Sequence, residues 1–449
     1  MTGVYYLLGI LVVVLGVALS IGLHELGHLL PAKRFGVRCS QYMIGFGPTV
    51  WSRRRGDTEY GIKAIPLGGY VRMIGMIPPR PGDVPGRLRA STTGRMGALV
   101  DQARQEAMEE LQPGDEDRVF YKLSVPKKVV VMLGGPVMNL LLAVALLTVL
   151  MVGIGRQAAL PTLGLVTDCA PSTLPTASNP QPSCLPGDPN APAKAAGLQA
   201  GDTIVSVDGQ PVRLWSEVVA VVKRSAGTPV ALVVSRNGTE MPLTVVPAAV
   251  VRPVYTSDGR VQVRSDGSLV TETVGYVGAQ ATVGYVREPL AAVPGQVVSV
   301  LGDAVGALAS VPAKLVGVVE AVTGQAQRDP NGPISVIGVA RVGGEIASGQ
   351  LGAETPQSVA AQIAGLLFGL NIALFLFNLL PLLPLDGGQV VGALWEGAKR
   401  RWARLRGRPD PGYVDVAKAL PLSYAVSMAF IALTLLLVYA DLVAPVKLG

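Results

Sequence analysis

The 449-residue chain has two histidines, and both fall in one pentapeptide, His24-Glu25-Leu26-Gly27-His28. On a helix, residues i and i+4 share a face, so two imidazoles at this spacing can hold one metal ion. Glu25 beside them can accept a proton from an attacking water. A catalytic zinc usually takes three protein ligands and keeps one position open. With no further histidine, the third ligand must be Asp, Glu or Cys. Asp386 is the candidate. It ends the run Asn378-Leu379-Leu380-Pro381-Leu382-Leu383-Pro384-Leu385-Asp386. Pro381 and Pro384 should stop a helix there, and Gly387 and Gly388 leave the backbone free to aim the carboxylate. The competing readings are interfacial histidines with a snorkelling Glu25, and an Asp386 that merely caps the next helix. The setting weighs against both. Glu25 is the first charge in the chain and follows 24 uncharged residues. An ionisable group inside a membrane span costs about 2.5–3.5 kcal/mol and usually serves function.

The elements that must position these groups are membrane helices. Hydrophobic residues make up 49% of the chain, charged residues 15%, and mean hydropathy is +0.43. That excludes a disordered chain and argues against an ordinary soluble enzyme, where charged residues run near 25%. Segments 1–24, 129–155, 355–385 and 419–440 are free of charge, and each exceeds the ~18 residues that suggest a span. The expected fold is a polytopic α-helical membrane protein of about four spans, at 1–32, 129–155, 358–385 and 419–444. Residues 289–325, interrupted by Asp303, Lys314 and Glu320, read as an amphipathic helix within an outer segment, 250–354. Lys and Arg exceed Asp and Glu in 33–128 and 386–418 but not between. Those two loops are therefore expected in the cytoplasm and the middle one outside. The net charge of +7 then reflects loop orientation rather than nucleic acid binding. Lys33 and Arg34 follow the first span, as in an uncleaved anchor. His24, His28 and Asp386 fall at the inner ends of two spans, at similar depth.

Two regions look like binding devices. Residues 59–75 alternate partly from Tyr60 to Ile65 and reach Gly68-Gly69, which suggests a hairpin dipping toward the site. Its exposed edge, Gly68, Gly69, Tyr70 and Val71, could pair with an unwound substrate segment. The plainer reading is an ordinary cytoplasmic hairpin. In the outer loop, Gly197-Leu198-Gln199-Ala200-Gly201-Asp202-Thr203-Ile204, followed by a strand and the Asp208-Gly209 turn, resembles a PDZ domain over 160–249, with an insert at 168–192. Only one clear copy is present. Cys169 and Cys184 lie in that insert, where an oxidising exterior would permit a disulfide. Cys39 falls on the cytoplasmic side as an ordinary thiol. Residues 80–118 read as a linker or short helix.

Together the His-Glu-x-x-His motif and the Asn378–Gly388 run resemble the site-2 intramembrane metalloproteases (peptidase family M50), nearest to the bacterial RseP type. Gly45-Phe46-Gly47-Pro48, Ile65-Pro66-Leu67-Gly68-Gly69-Tyr70-Val71, Gly135-Pro136 with Asn139, and Gly332-Pro333-Ile334-Ser335 agree. The resemblance covers nearly the whole chain and weakens at 80–118 and 168–192. It implies that His24, His28 and Asp386 bind Zn²⁺, that Glu25 is the catalytic base, and that Asn378 holds the substrate or its oxyanion. It further implies a membrane-associated β-loop over 59–75. The expected protein is a multi-pass zinc endopeptidase of the bacterial inner membrane. Its substrates would be single-span proteins, such as an anti-sigma factor trimmed outside by a first (site-1) protease, or remnant signal peptides. The PDZ domain would exclude bulky outer domains or recognise a new C-terminus. A non-catalytic PDZ scaffold and a metal transporter are the alternatives. The first fits poorly with an intact ligand set, the second with a single ligand cluster.

Overall fold

A computed structural model describes residues 2–79, 95–170, 184–255, 261–262, 264, 269–353 and 355–446. Parts of the expected linker (80–94) and of the expected insert (171–183) lie outside the described residues. The chain divides into two compact units, Met1–Ile154 with Glu288–Gly449, and Gly155–Arg287.

The first unit is helical. Helix α1 spans Thr2–Arg34. Leu7, Leu11, Leu15 and Leu19 recur at i+4 on one face and stay exposed, as expected of a lipid-facing stripe. Gly9, Val13, Val17 and Ser20 are buried on the opposite side. After α1, strand β1 (Cys39–Arg55) turns at Gly56-Asp57 into β2 (Thr58–Met73). This hairpin is longer than the expected 59–75. The far half of β1 is exposed on every residue, so it carries no inside-outside alternation for a sequence pattern to reveal. Gly45 and Gly47, both at positive φ, bend β1 so that Gln41–Ile44 pairs with Gly69–Arg72 on one side and with Glu59–Ile62 on the other.

Helix α2 (Arg95–Glu109) precedes α3 (Val125–Thr148), which a π-helical turn, Val149–Ile154, extends. The second unit, described below, follows. The chain then resumes with α6 (Val293–Val322), α7 (Val336–Ala347), α8 (Pro356–Asn378), α9 (Asp386–Leu405) and α10 (Leu420–Val443). A reciprocal cap opens α8. Thr355 Oγ1 accepts from Ser358 N at 3.1 Å, and Ser358 Oγ accepts from Thr355 N at 3.0 Å. Helix α8 ends three residues before Pro381, as the prolines require. Among the described residues five helices are long and apolar enough to cross a membrane: α1, α3 with its π turn, α6, α8 and α10. The expectation was four. The addition is α6, because Asp303, Lys314 and Glu320 are spread too thinly to interrupt an 18-residue apolar window.

The second unit is a sheet with strand order β10-β3-β4-β6-β7. The strands are β3 (Arg156–Val166), β4 (Thr203–Val207), β6 (Val230–Arg236), β7 (Thr239–Val245) and β10 (Ala279–Val286). Short β5 (Gln210–Pro211) pairs with β4, and β8 (Ala248–Pro253) with β9 (Thr271–Tyr276) forms a separate ladder. Helices α4 (Pro192–Ala195) and α5 (Trp215–Arg224) complete it. The core holds Leu163, Ile204, Val207, Val218, Leu232 and Val234. The unit runs past the expected boundary at 249, because β10 returns to pair with β3. Cys169 and Cys184 form a disulfide, Cα to Cα 5.9 Å. Asp202 is buried and accepts from Arg236 Nε and Nη2 at 2.7 Å each and from the Gln199 amide at 2.8 Å.

Candidate active site

The C-terminal third of α1 carries His24, Glu25 and His28. Their helix crosses α3 at glycines: a Cβ on either Gly27 or Gly134 would overlap the other's backbone. Small residues let two membrane helices approach this closely. One residue further along α3, a Cβ at Gly135 would strike the imidazoles of His28 and His24. The site thus occupies space that glycines keep open. His28 is buried, and its Nδ1 lies 2.8 Å from the Val131 carbonyl. Nδ1–H therefore donates to Val131, which leaves the Nε2 lone pair free as a ligand. One turn above His24, buried Ser20 accepts from Asn371 Nδ2 of α8 at 2.9 Å, tying the helix that leads to Asp386 onto α1.

Asp386 is the first residue of α9. Gly387 and Gly388 follow it inside the helix, where a Cβ would overlap the backbone of Leu379, Leu380 and Leu382. Their role is close packing of the preceding turn, not the backbone freedom expected from sequence. His24 Nε2 and His28 Nε2 are 3.2 Å apart, and each is 3.3 Å from Asp386 Oδ2. Zinc bonds of about 2.0–2.1 Å in a tetrahedron would separate ligand atoms by about 3.3–3.4 Å. The triangle fits that ion. Asp386 Oδ2 is moreover buried without a hydrogen-bond donor, a deficit that a cation facing it would satisfy. Among the described residues this is the one cluster of three His, Cys, Asp or Glu groups able to share an ion.

Glu25 faces the hairpin. A Cβ at Gly69 would sit 2.9 Å from Glu25 Cγ and 3.0 Å from the Ile21 side chain, and the Val71 amide lies near the Glu25 carboxylate. Tyr42 O–H donates to the Gly22 carbonyl at 2.7 Å and holds β1 on α1. Of the four hairpin residues expected to bind substrate, Gly69 and Val71 are brought to the site. Gly68 packs on the Phe46 ring, which also stacks with Tyr70, and the Tyr70 hydroxyl donates to Gln41. Asn378 closes α8, half-buried, and takes no part in the hydrogen bonds of the cluster. Sequence reasoning did not identify the Val131 carbonyl or the steric roles of Gly27, Gly134 and Gly135. The signal available was the glycine pair in an otherwise bulky apolar helix.

Residues 12–417 match the family model described as peptidase family M50. The zinc metalloprotease Rip1 of Mycobacterium tuberculosis is 34% identical, with 99% of each chain covered. The zinc metalloprotease RasP of Geobacillus kaustophilus is 27% identical, covering 82% of this chain and 84% of that one. The regulator of sigma-W protease RasP of Bacillus subtilis is 28% identical over 51% of this chain and 60% of its own. A family match over most of the length, a full-length relative above 30% identity and the assembled His24–His28–Asp386 cluster agree: the chain belongs to peptidase family M50.

Proposed function

We propose that this chain is an intramembrane zinc endopeptidase that cleaves single-span membrane proteins near the cytoplasmic face. The observation that carries this reading is the convergence of His24, His28 and Asp386 in one triangle beside Glu25, toward the C-terminal end of an apolar helix. Bound between the three ligands, Zn²⁺ supplies a Lewis acid that polarises the scissile carbonyl and acidifies water. Glu25 takes the proton of the attacking water and returns it to the leaving amide nitrogen. Val131 fixes the His28 ring through the hydrogen bond at Nδ1. Segment Gly69–Met73 of β2 has β1 on one edge and, among the described residues, no strand on the other. Gly69 in that segment lies against Glu25, and an unwound stretch of substrate can add at the free edge as a strand. Asn378, at the end of α8, is assigned to hold the substrate.

The second unit is read as a PDZ-type filter on the outer side of a bacterial inner membrane, admitting substrates that a first protease has trimmed. Its β10 lies at the sheet edge. A groove lined by Trp215, Val218, Val222, Lys223, Arg252 and Val274 runs beside α5, which supports capture of an extended segment.

The test is cleavage of a single-span substrate by the purified full chain in detergent, comparing wild type with Glu25→Gln and measuring zinc in both. Zinc in both with cleavage by wild type alone is expected. Full activity in a zinc-loaded Glu25→Gln protein would overturn the assignment of the base.

A further inference from the structure

We infer that the buried Lys128–Glu396 ion pair is a positioning device that sets Asp386 against the two histidines. The inference rests on reading His24, His28 and Asp386 as metal ligands. Lys128 Nζ, near the start of α3, lies 2.9 Å from both carboxylate oxygens of Glu396 on α9. Both side chains are buried, at 6% and 4% exposure. Glu396 also accepts from Arg400 at 3.2 Å and from the Val414 amide at 3.2 Å. The Tyr413 ring lies against both cations, 5.3 Å from Lys128 and 5.0 Å from Arg400.

The pair joins the two helices that between them hold the site. On α3, Lys128 and Gly135 are seven residues apart, two turns along one face. Between them, Val131 holds His28. On α9, Asp386 is the first residue, and Glu396 follows ten residues later, about 15 Å along the axis. Residues 379–385 between α8 and α9 are not helical, so α8 does not extend rigidly to the ligand. Gly387 and Gly388 pack this turn onto the start of α9, and the depth of turn and ligand together then depends on where α9 rests on α3. Apolar contacts are non-directional and leave such a helix free to slide. A buried ion pair gains little net stability over apolar residues of the same size, and register is its best-attested use. Lys128 can meet both Glu396 oxygens at one setting of α9, and that setting places Asp386 Oδ2 equidistant from the two Nε2 atoms.

The test is cobalt(II) titration of the purified full chain in detergent, reading affinity and the visible d–d spectrum alongside thermal stability. Cobalt binding by wild type that His24→Ala abolishes is the control. Without it the ligand reading fails, and this inference with it. Lys128→Met and Glu396→Gln should weaken cobalt binding about tenfold or more, as loss of groups supporting metal ligands does, and should alter the spectrum. Lys128→Arg should stay near wild type. The decisive variant is Lys128→Met/Glu396→Leu, in which an apolar pair replaces the ionic one and restores stability. It should remain stable yet bind cobalt weakly. Wild-type affinity and spectrum in that stable double variant would overturn the inference, even if the single variants misfold.

Discussion

At the scale of single residues, space and polarity are used sparingly. A methyl group at position 135 would enter the volume of the His28 ring, and His28 cannot retreat while Val131 holds its Nδ1. Gly135→Ala should therefore lose bound zinc, measured by atomic absorption, at a stability cost of about 1–3 kcal/mol and with helix content retained. Cys39 offers a contrast. Burial pushes its thiol up to about 11, so it stays protonated at neutral pH. A maleimide at pH 7.5 should leave Cys39 unmodified in the folded protein and label it on unfolding. The members of the His24–His28–Asp386 cluster stood out in the sequence because two lone histidines and a first charge break an apolar background. Val131 was not, because a backbone carbonyl has no residue signature.

Among the elements, the hairpin and the α1–α3 crossing decide the geometry of the site. Gly69 lets β2 lie against Glu25. In Gly69→Ala the new Cβ would meet Glu25 Cγ at 2.9 Å and the Met43 carbonyl at 3.0 Å. Cleavage should slow on the order of 10- to 100-fold, the effect of a small misplacement at a reacting group, with zinc content unchanged in a parallel metal assay. The helices were legible by length and lack of charge. The hairpin was read too short because the far half of β1 is exposed on every residue, and α6 joins the candidate spans because its three charges are widely spaced along an apolar helix. Strand β10 was left out of the expected domain over 160–249 because it reaches β3 from more than a hundred residues away. Such a pairing is settled by tertiary contacts, not by local pattern.

For the whole molecule, stability is shared between membrane helices and a β-rich unit with its own electrostatics. The Arg236 guanidinium holds the Asp202 carboxyl below its ordinary value of 3.8. A carboxyl depressed in the folded state adds stability that is complete above the unfolded value and is lost as pH falls through the folded one. Unfolding of the β unit, followed by Trp215 fluorescence with Trp51, Trp395 and Trp402 replaced by Phe, should be insensitive to this group at neutral pH. It should become easier below about pH 4. Asp202→Asn should remove that component and lower stability by about 2 kcal/mol at pH 7. Replacing Cys169 and Cys184 by Ser should cost about 3 kcal/mol in the same measurement, the value expected for a loop of this length. The existence of this unit was visible in the Gly201-Asp202 and Asp208-Gly209 patterns, but its end was not.

The way the β unit leaves and rejoins the helical one has a consequence for how such a chain can change. The Glu288 amide donates to the Met151 carbonyl at 2.9 Å, and Arg156 pairs with Val286 at the ends of β3 and β10. Within each unit, the two points where the chain crosses to the other are thus side by side. Joining residue 154 to residue 288 through a short glycine bridge would spare every span. Recombination could in the same way exchange one such unit for another while leaving the His24–His28–Asp386 cluster in place.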